Sequence, residues 1–272
     1  MRIGIVTGAS SGMGREAVIQ IADRFGGKKI QEIWVIARRL ERLEELRKQV
    51  PVPLRVFPLD LTEENALDML RRELKERKPK VSILVNAAGY GNLGNVGDGD
   101  LLEETGMVRL NCEALCGVTH VVLPFMSDHG RILLFASAAG FLPQPGFAVY
   151  AATKAFVISF GRALNQELKH RDIVVTSVCP GPVNTEFFDR EGMAGDFPFY
   201  KKLVMANCKK VVKKALKESM MGKELSVYGL GIKMFFVLSK IIPHGLLLWG
   251  MEGMSGFDKT KSGSQNKPEV SE

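Results

Sequence analysis

From residue 2 onward the chain alternates short apolar runs with amphipathic stretches, and its first run ends in a glycine-dense turn. Residues 2–7 are apolar and partly β-branched, which suits a buried strand. Thr7-Gly8-Ala9-Ser10-Ser11-Gly12-Met13-Gly14 follows at once, and then a helical pattern through Ala17, Val18, Ile21 and Ala22. Further strands are expected over 33–37, 54–59, 81–86, 131–135, 173–179 and 225–228. Helices are expected between them over 40–50, 63–77, 100–126 and 148–171. Strands separated by helices require right-handed crossovers and a parallel sheet covered on both faces. The fold class is therefore α/β, a doubly wound parallel sheet in a single domain. In that setting the turn is a candidate phosphate site. Gly8 would make the tight bend, while Gly12 and Gly14 would let a pyrophosphate approach the backbone and let the helix pack on the sheet. Free N–H groups at the helix start would face the anion.

The acidic pairs Glu44-Glu45 and Glu63-Glu64 fall on exposed helix turns and read as solvated. A hydrophobic fraction of 46% with 25% charged residues is that of an ordinary globule, neither disordered nor membrane-embedded. The net charge of +7 suggests an anionic ligand. Lys and Arg are scattered, however, with no basic stripe interleaved with aromatics, so nucleic acid is not expected as a partner. Cys112, Cys116, Cys179 and Cys208 show no disulfide or zinc-finger spacing. Cys112, Cys116 and His120 recur every four residues, which fits small side chains on a buried helix better than metal ligands, and no metal is expected. A first strand at residue 2 leaves no room for a signal or transit segment, and with unpaired cysteines the expected compartment is the cytoplasm.

Tyr150 and Lys154 stand four residues apart, and Ser137 ends an apolar run thirteen residues upstream. Positions i and i+4 share one helix face, so a phenol and an ammonium would project into one volume. A cation about 4 Å from a phenolate, at an effective dielectric of about 20, stabilises it by about 4 kcal/mol, or roughly three pKa units before desolvation is subtracted. The expectation is a phenol acidified enough to exchange a proton near neutral pH. The Ser137 hydroxyl would hold the oxygen of a carbonyl or alcohol.

Together these motifs resemble the short-chain dehydrogenase/reductase family in its compact form, over roughly residues 2–190. Thr7-Gly8-x-x-x-Gly12-x-Gly14 resembles its cofactor loop, with Ser10, Ser11 and Met13 inside it. Asp60 and Leu61 match the adenine contact, and Asn86, Ala87 and Gly89 the segment beside the cofactor ribose. Asn111, Ser137, Tyr150 and Lys154 match the catalytic tetrad. Pro180, Gly181, Val183 and Thr185 match the segment over the nicotinamide. Met13 in place of the usual Ile, and Phe135-Ala136-Ser137 in place of Ile-Ser-Ser, remove no functional atom. The resemblance implies hydride exchange with Tyr150 as general acid and base, Lys154 on the ribose, Ser137 on the reacting oxygen and Asn111 holding a relay water. It also implies a homodimer or homotetramer. The alternative reading is a catalytically silent regulatory or assembly protein on the same fold, but such proteins commonly lose the Tyr or Lys that this chain keeps.

The end of the second strand, Ile36-Ala37-Arg38-Arg39, lacks the carboxylate that would hold a ribose 2′-hydroxyl. An arginine there would bind a 2′-phosphate, Arg38 first and Arg39 over the adenine. NADP(H) is therefore preferred, with NAD(H) left open. Residues 89–99 read as a glycine-dense mobile rim beside the site. Residues 185–221 read as a substrate lid, carrying Phe187, Phe188, Met193, Phe197, Phe199, Tyr200, Leu203 and Met205, which favours an apolar ketone or alcohol, hydroxysteroid-like or long-chain 3-oxoacyl. Residues 225–256 form an apolar extension, in which Lys233, Lys240 and Pro243-His244 rule out a transmembrane span. It would cover the cleft or meet another subunit, with peripheral membrane contact as the weaker alternative. The catalytic domain thus runs over 1–256, and residues 257–272, rich in Lys, Ser and Gly, read as a disordered tail.

Overall fold

The computed structural model describes residues 1–27, 29–183, 185–186 and 205–254, with side chains as far as Trp249. Seven parallel strands form one sheet in the order β3-β2-β1-β4-β5-β6-β7. They are β1 Arg2–Thr7, β2 Glu32–Ala37, β3 Leu54–Pro58, β4 Lys80–Asn86, β5 Met126–Phe135, β6 Val174–Cys179 and β7 Leu225–Val227. Each central strand is apolar on both faces, because helices cover both. In β2, Trp34 and Ile36 face one core, and Ile33 and Val35 face the other.

One layer consists of α1 (Gly12–Phe25), α2 (Leu40–Arg47) and α7 (Cys208–Met220), which bury Val18, Ile21, Leu43, Leu46, Val212 and Leu216. The opposite layer consists of α3 (Ala66–Arg77), α4 (Leu101–Val108), α5 (Leu115–Val122) and α6 (Ala148–Glu167). Its buried contacts include Leu70, Leu74, Val118, Val157 and Leu164. The doubly wound α/β fold is as expected, and its chain order reverses between β1 and β4. In such sheets ligands bind outside the carboxyl ends of the strands at this crevice.

Three local departures bear on the site. The helix expected over 100–126 is divided by a π-helical turn, Arg109–Ala114, between α4 and α5. The helix expected from residue 63 starts at Ala66, because Asp60 Oδ1 accepts from both Thr62 N (3.0 Å) and Thr62 Oγ1 (2.7 Å), holding a turn instead. Residues 208–220, read as part of the lid, form α7, whose Val211, Val212, Ala215 and Leu216 are buried against the sheet. That stretch covers the core rather than a pocket. The remaining lid residues, 187–204, and the tail expected over 257–272 lie outside the described residues, and Met205 at the edge is exposed.

The apolar extension forms α8 (Leu230–Ile241) and α9 (His244–Met254), separated at Pro243. One side of α8 packs inward: Phe236 and Phe235 lie 4.8 and 6.3 Å from the Phe141 ring. The other side leaves Leu230, Met234 and Ile241 exposed, as is Trp249 on α9. Among the described residues no helix is long and apolar enough to cross a membrane.

Candidate active site

The turn after β1 is built by close approach. Gly8 has φ +66°, a left-handed conformation that favours glycine, and a Cβ there would lie 2.7 Å from Ala88 N. At Gly14 a Cβ would fall 2.2 Å from Gly8 O, so only hydrogen lets α1 start this near the strand. Thr7 Oγ1 accepts from Ala87 N and Ala88 N at 3.1 and 3.2 Å, tying the turn to the end of β4. At the start of α1, Ser11 makes no side-chain capping bond, and the first turn holds no acidic residue. The positive end of the helix is left for an anion. Thr185 lies against this turn, with its Cβ 3.4 Å from where a Gly12 Cβ would be.

Arg38 and Arg39 leave the end of β2 in different directions. Arg38 Nη1 lies 3.5 Å from Asp60 Oδ2 and is largely exposed. Burial pushes the Asp60 carboxyl up, but the Thr62 bonds and the Arg38 charge outweigh it and hold the group below the usual range. Arg39 Nη2 instead donates to Ser11 Oγ (3.0 Å) and Ser10 Oγ (3.3 Å). Arg39 therefore faces the glycine turn, while Arg38, expected first on a 2′-phosphate, faces Asp60. Both Arg39 and Arg42 bond the Glu186 carboxylate.

Beside β4, Asn86 Nδ2 donates to Thr119 Oγ1 at 2.9 Å, while its buried Oδ1 has no partner. Gly89 passes so close to the catalytic candidates that a Cβ would sit 2.7 Å from Asn111 Oδ1 and 3.4 Å from Lys154 Nζ. Asn111 is fully buried on the π turn. Its amide receives Tyr90 N (3.0 Å) and donates to Tyr90 O (2.8 Å) and Thr153 Oγ1 (3.0 Å). The side chain thus anchors the rim to α6.

Ser137, at the end of β5, accepts from Ala139 N at 3.1 Å and hydrogen-bonds the Tyr150 phenol. The turn that follows lies directly on α6, since a Gly140 Cβ would meet Lys154 C at 2.6 Å. Phe147 stacks on Tyr150 at 4.4 Å between ring centroids. Tyr150 also packs with Met107, Ala139 and Ala151, with Tyr90 and Val149 at the edge.

The acidified phenol expected from the spacing is not what this geometry produces. Burial raises Tyr150 to about 12, and the Ser137 hydrogen bond only partly opposes it. Lys154 Nζ donates to Phe135 O at 3.0 Å and lies over the Tyr150 ring, 5.5 Å from its centroid, so the ammonium is committed to a carbonyl rather than to the phenol oxygen. Burial lowers Lys154 to about 8, beside the thiols of Cys112 and Cys179. Both thiols are themselves raised by burial and stay protonated.

The far wall follows β6. Pro180 O accepts from Ala138 N at 2.9 Å, and Gly181 lies under Ile232 of α8. Val183 pairs with Ala206, which starts the return toward α7. Sequence reasoning missed Arg42, Thr153 and Glu186. Arg42 lies one helical turn beyond Arg39, a spacing that could have marked it. Nothing local marks Glu186. Among the described residues no group of His, Cys, Asp and Glu assembles that could hold a metal ion.

The chain is similar to several known proteins. The sulfoacetaldehyde reductase 2 of Chromohalobacter salexigens is 38% identical over 189 residues, covering 67% of this chain and 73% of that protein. The very-long-chain 3-oxoacyl-CoA reductase of Anas platyrhynchos is 35% identical over 193 residues, covering 67% of this chain and 60% of that one. The closed form of a serine dehydrogenase complexed with NADP+ superposes with a TM-score of 0.72 at 28% identity, over 84% of this chain and 94% of that chain. A model of the short chain dehydrogenase family matches residues 2–193, from the first strand past the clamp at Thr185. This chain belongs to that family and is an oxidoreductase of its type.

Proposed function

We propose that the protein is an NADP(H)-dependent oxidoreductase that interconverts a carbonyl and a secondary alcohol on an apolar substrate, with Tyr150 as general acid and base. The observation that carries this reading is the hydrogen-bonded Ser137–Tyr150 pair, set beside Lys154 at the carboxyl ends of β4 and β5. The residues present fit a phosphorylated dinucleotide. The start of α1 offers backbone N–H groups, the nearby Arg39 and Arg42 already hold a carboxylate, and Ser10 and Ser11 accept from Arg39. Gly8, Gly12, Gly14, Ala87 and Thr185 would line the phosphates and ribose, and Lys154 would donate to the nicotinamide ribose. A nicotinamide bound there supplies or takes up the hydride.

The chain's own residues manage the proton. In reduction the substrate oxygen accepts from Ser137 and receives the Tyr150 proton, becoming a hydroxyl. Oxidation reverses the transfer. A phenol raised to about 12 carries its proton at neutral pH, which is the species that reduction needs. The reading of an apolar substrate is supported by the wall of Phe147, Met107 and Val149 around the phenol. The relatives' names span a small polar aldehyde and a long acyl chain, and the wall resembles the needs of the second.

Tyr150→Phe should leave NADPH binding within about twofold while lowering reduction of apolar ketones by at least about a hundredfold. Undiminished turnover in that variant would refute the chemistry.

A further inference from the structure

The Glu186 carboxylate sits where an anion belongs. Arg39 Nη1 and Nη2 both donate to its Oε2 at 3.1 Å, and Arg42 Nη1 bonds its Oε1. The same Arg39 Nη2 reaches the hydroxyls of Ser10 and Ser11 in the glycine turn. Two guanidinium groups therefore converge on one carboxylate, 144 residues away in the chain from Arg42, and one of them is also held by two hydroxyls beside the start of α1. Planar guanidinium pairs and small hydroxyls recognise phosphate by the same bonds they offer a carboxylate, and a dianion takes more of them. The three charged side chains are each 40–45% exposed, so the ion pairs are weak and open to exchange. Arg42 outranks the other bonds and the Arg39 charge in holding the Glu186 carboxyl below its usual range.

We propose that Ser10, Ser11, Arg39 and Arg42 form the seat for the 2′-phosphate of NADP(H), and that Glu186 is a resident competitor which must leave that seat for the phosphate to enter. This rests on the cofactor reading above and extends it to a residue that sets affinity by exclusion. The consequence is a selectivity device. A phosphorylated dinucleotide meets the cost of displacing Glu186 by taking over both arginines. A non-phosphorylated one gains nothing from the displacement and binds with Glu186 in place. The device also links the cofactor site to the segment that follows β6, because Glu186 directly follows Thr185, which lies against Gly12.

The test is equilibrium binding of NADPH, NADH, 2′-AMP and 5′-AMP, by calorimetry and nicotinamide fluorescence, to the wild type, Glu186→Gln and Arg42→Met. Glu186→Gln should tighten NADPH and 2′-AMP about 3- to 10-fold, the scale of one or two exposed ion pairs released. NADH and 5′-AMP should stay within about twofold. Arg42→Met should weaken NADPH and 2′-AMP about tenfold with little effect on NADH. In the Arg42→Met background the gain from Glu186→Gln should shrink, since the competitor has lost one of its holders. If Glu186→Gln leaves NADPH affinity unchanged or weakens it, or shifts NADPH and NADH equally, Glu186 is no competitor and the inference falls while the cofactor reading stands. If the wild type binds neither dinucleotide, the cofactor reading itself falls, and the inference with it.

Discussion

Gly89→Ala tests how tightly the site is assembled. The added Cβ would lie 2.7 Å from Asn111 Oδ1, well inside contact distance, and 3.4 Å from Lys154 Nζ. Gly89 does not adopt a positive φ, so the effect is steric and not one of backbone strain. Asn111 is fully buried and cannot swing into solvent. Retreat of its Oδ1 breaks the bond from Tyr90 N and strains the return bond to Tyr90 O. One lost hydrogen bond at about 1 kcal/mol and one buried unsatisfied group at about 1–3 kcal/mol give a destabilisation of about 2–4 kcal/mol. For 272 residues at about 2.1 cal/mol/K each, the unfolding entropy is about 0.57 kcal/mol/K, so Tm should fall by about 4–7 °C. Asn111→Ala should destabilise by a similar amount. The double variant should melt near Asn111→Ala alone, because the clashing oxygen is gone. Thermal melts of the four proteins, with ketone reduction measured in parallel, decide the matter. Losses that add within about 0.5 kcal/mol would show that Gly89 and Asn111 do not meet, and the proposed packing would be wrong.

Three further outcomes follow from the same geometry. Gly14→Ala places a Cβ 2.2 Å from the Gly8 carbonyl oxygen, backbone against backbone; NADPH affinity should drop at least about tenfold, and unchanged binding in a fluorescence titration would contradict the turn. Burial lowers Lys154, so its ammonium exists below about pH 8 and is lost as pH rises through that value; in 13C-labelled protein its Cε resonance should titrate there, and one that moves with the surface lysines near about 10.4 would refute the assignment. Glu218 is pushed up by burial yet held down to about 2 by Lys214, Ser226 and Lys223. Its contribution is present above the ordinary carboxyl range and is lost as pH falls toward 2, so between pH 6 and pH 3 the wild type should lose about 2 kcal/mol of urea-measured stability that Glu218→Gln does not; equal losses in both would exclude that network.

The strands and the glycine turn were legible because their signals are local. An apolar run of five or six residues and a glycine that must lie against backbone both appear in consecutive letters. Ser137, Tyr150 and Lys154 were legible through spacing, but the consequence of the spacing was not. Four residues on a helix bring an ammonium near a ring, yet Phe135 O captures that ammonium, and a carbonyl on a neighbouring strand leaves no trace in side-chain order. Glu186 was hidden for a related reason: it meets Arg42 only once β6 and the glycine turn have been brought side by side. The spacing of Val211, Val212, Ala215 and Leu216 suits a helix packed on the sheet, a local signal that the reading of 185–221 as a lid passed over.

The π turn at Arg109–Ala114 has an implication for how this chain tolerates change in length. A π turn carries one residue more than a regular helix would over the same rise, so deleting a single residue there would restore uninterrupted α-geometry at little local expense. The flanking helices would keep their phase, while the turn itself, Asn111 included, would re-register. Asn111 would then point away from Tyr90 and Thr153. A shortened chain of this kind should keep its sheet and melt lower by about the amount given for Asn111→Ala, while its rim and its chemistry lose their common anchor, separating foldedness from competence with a single missing codon.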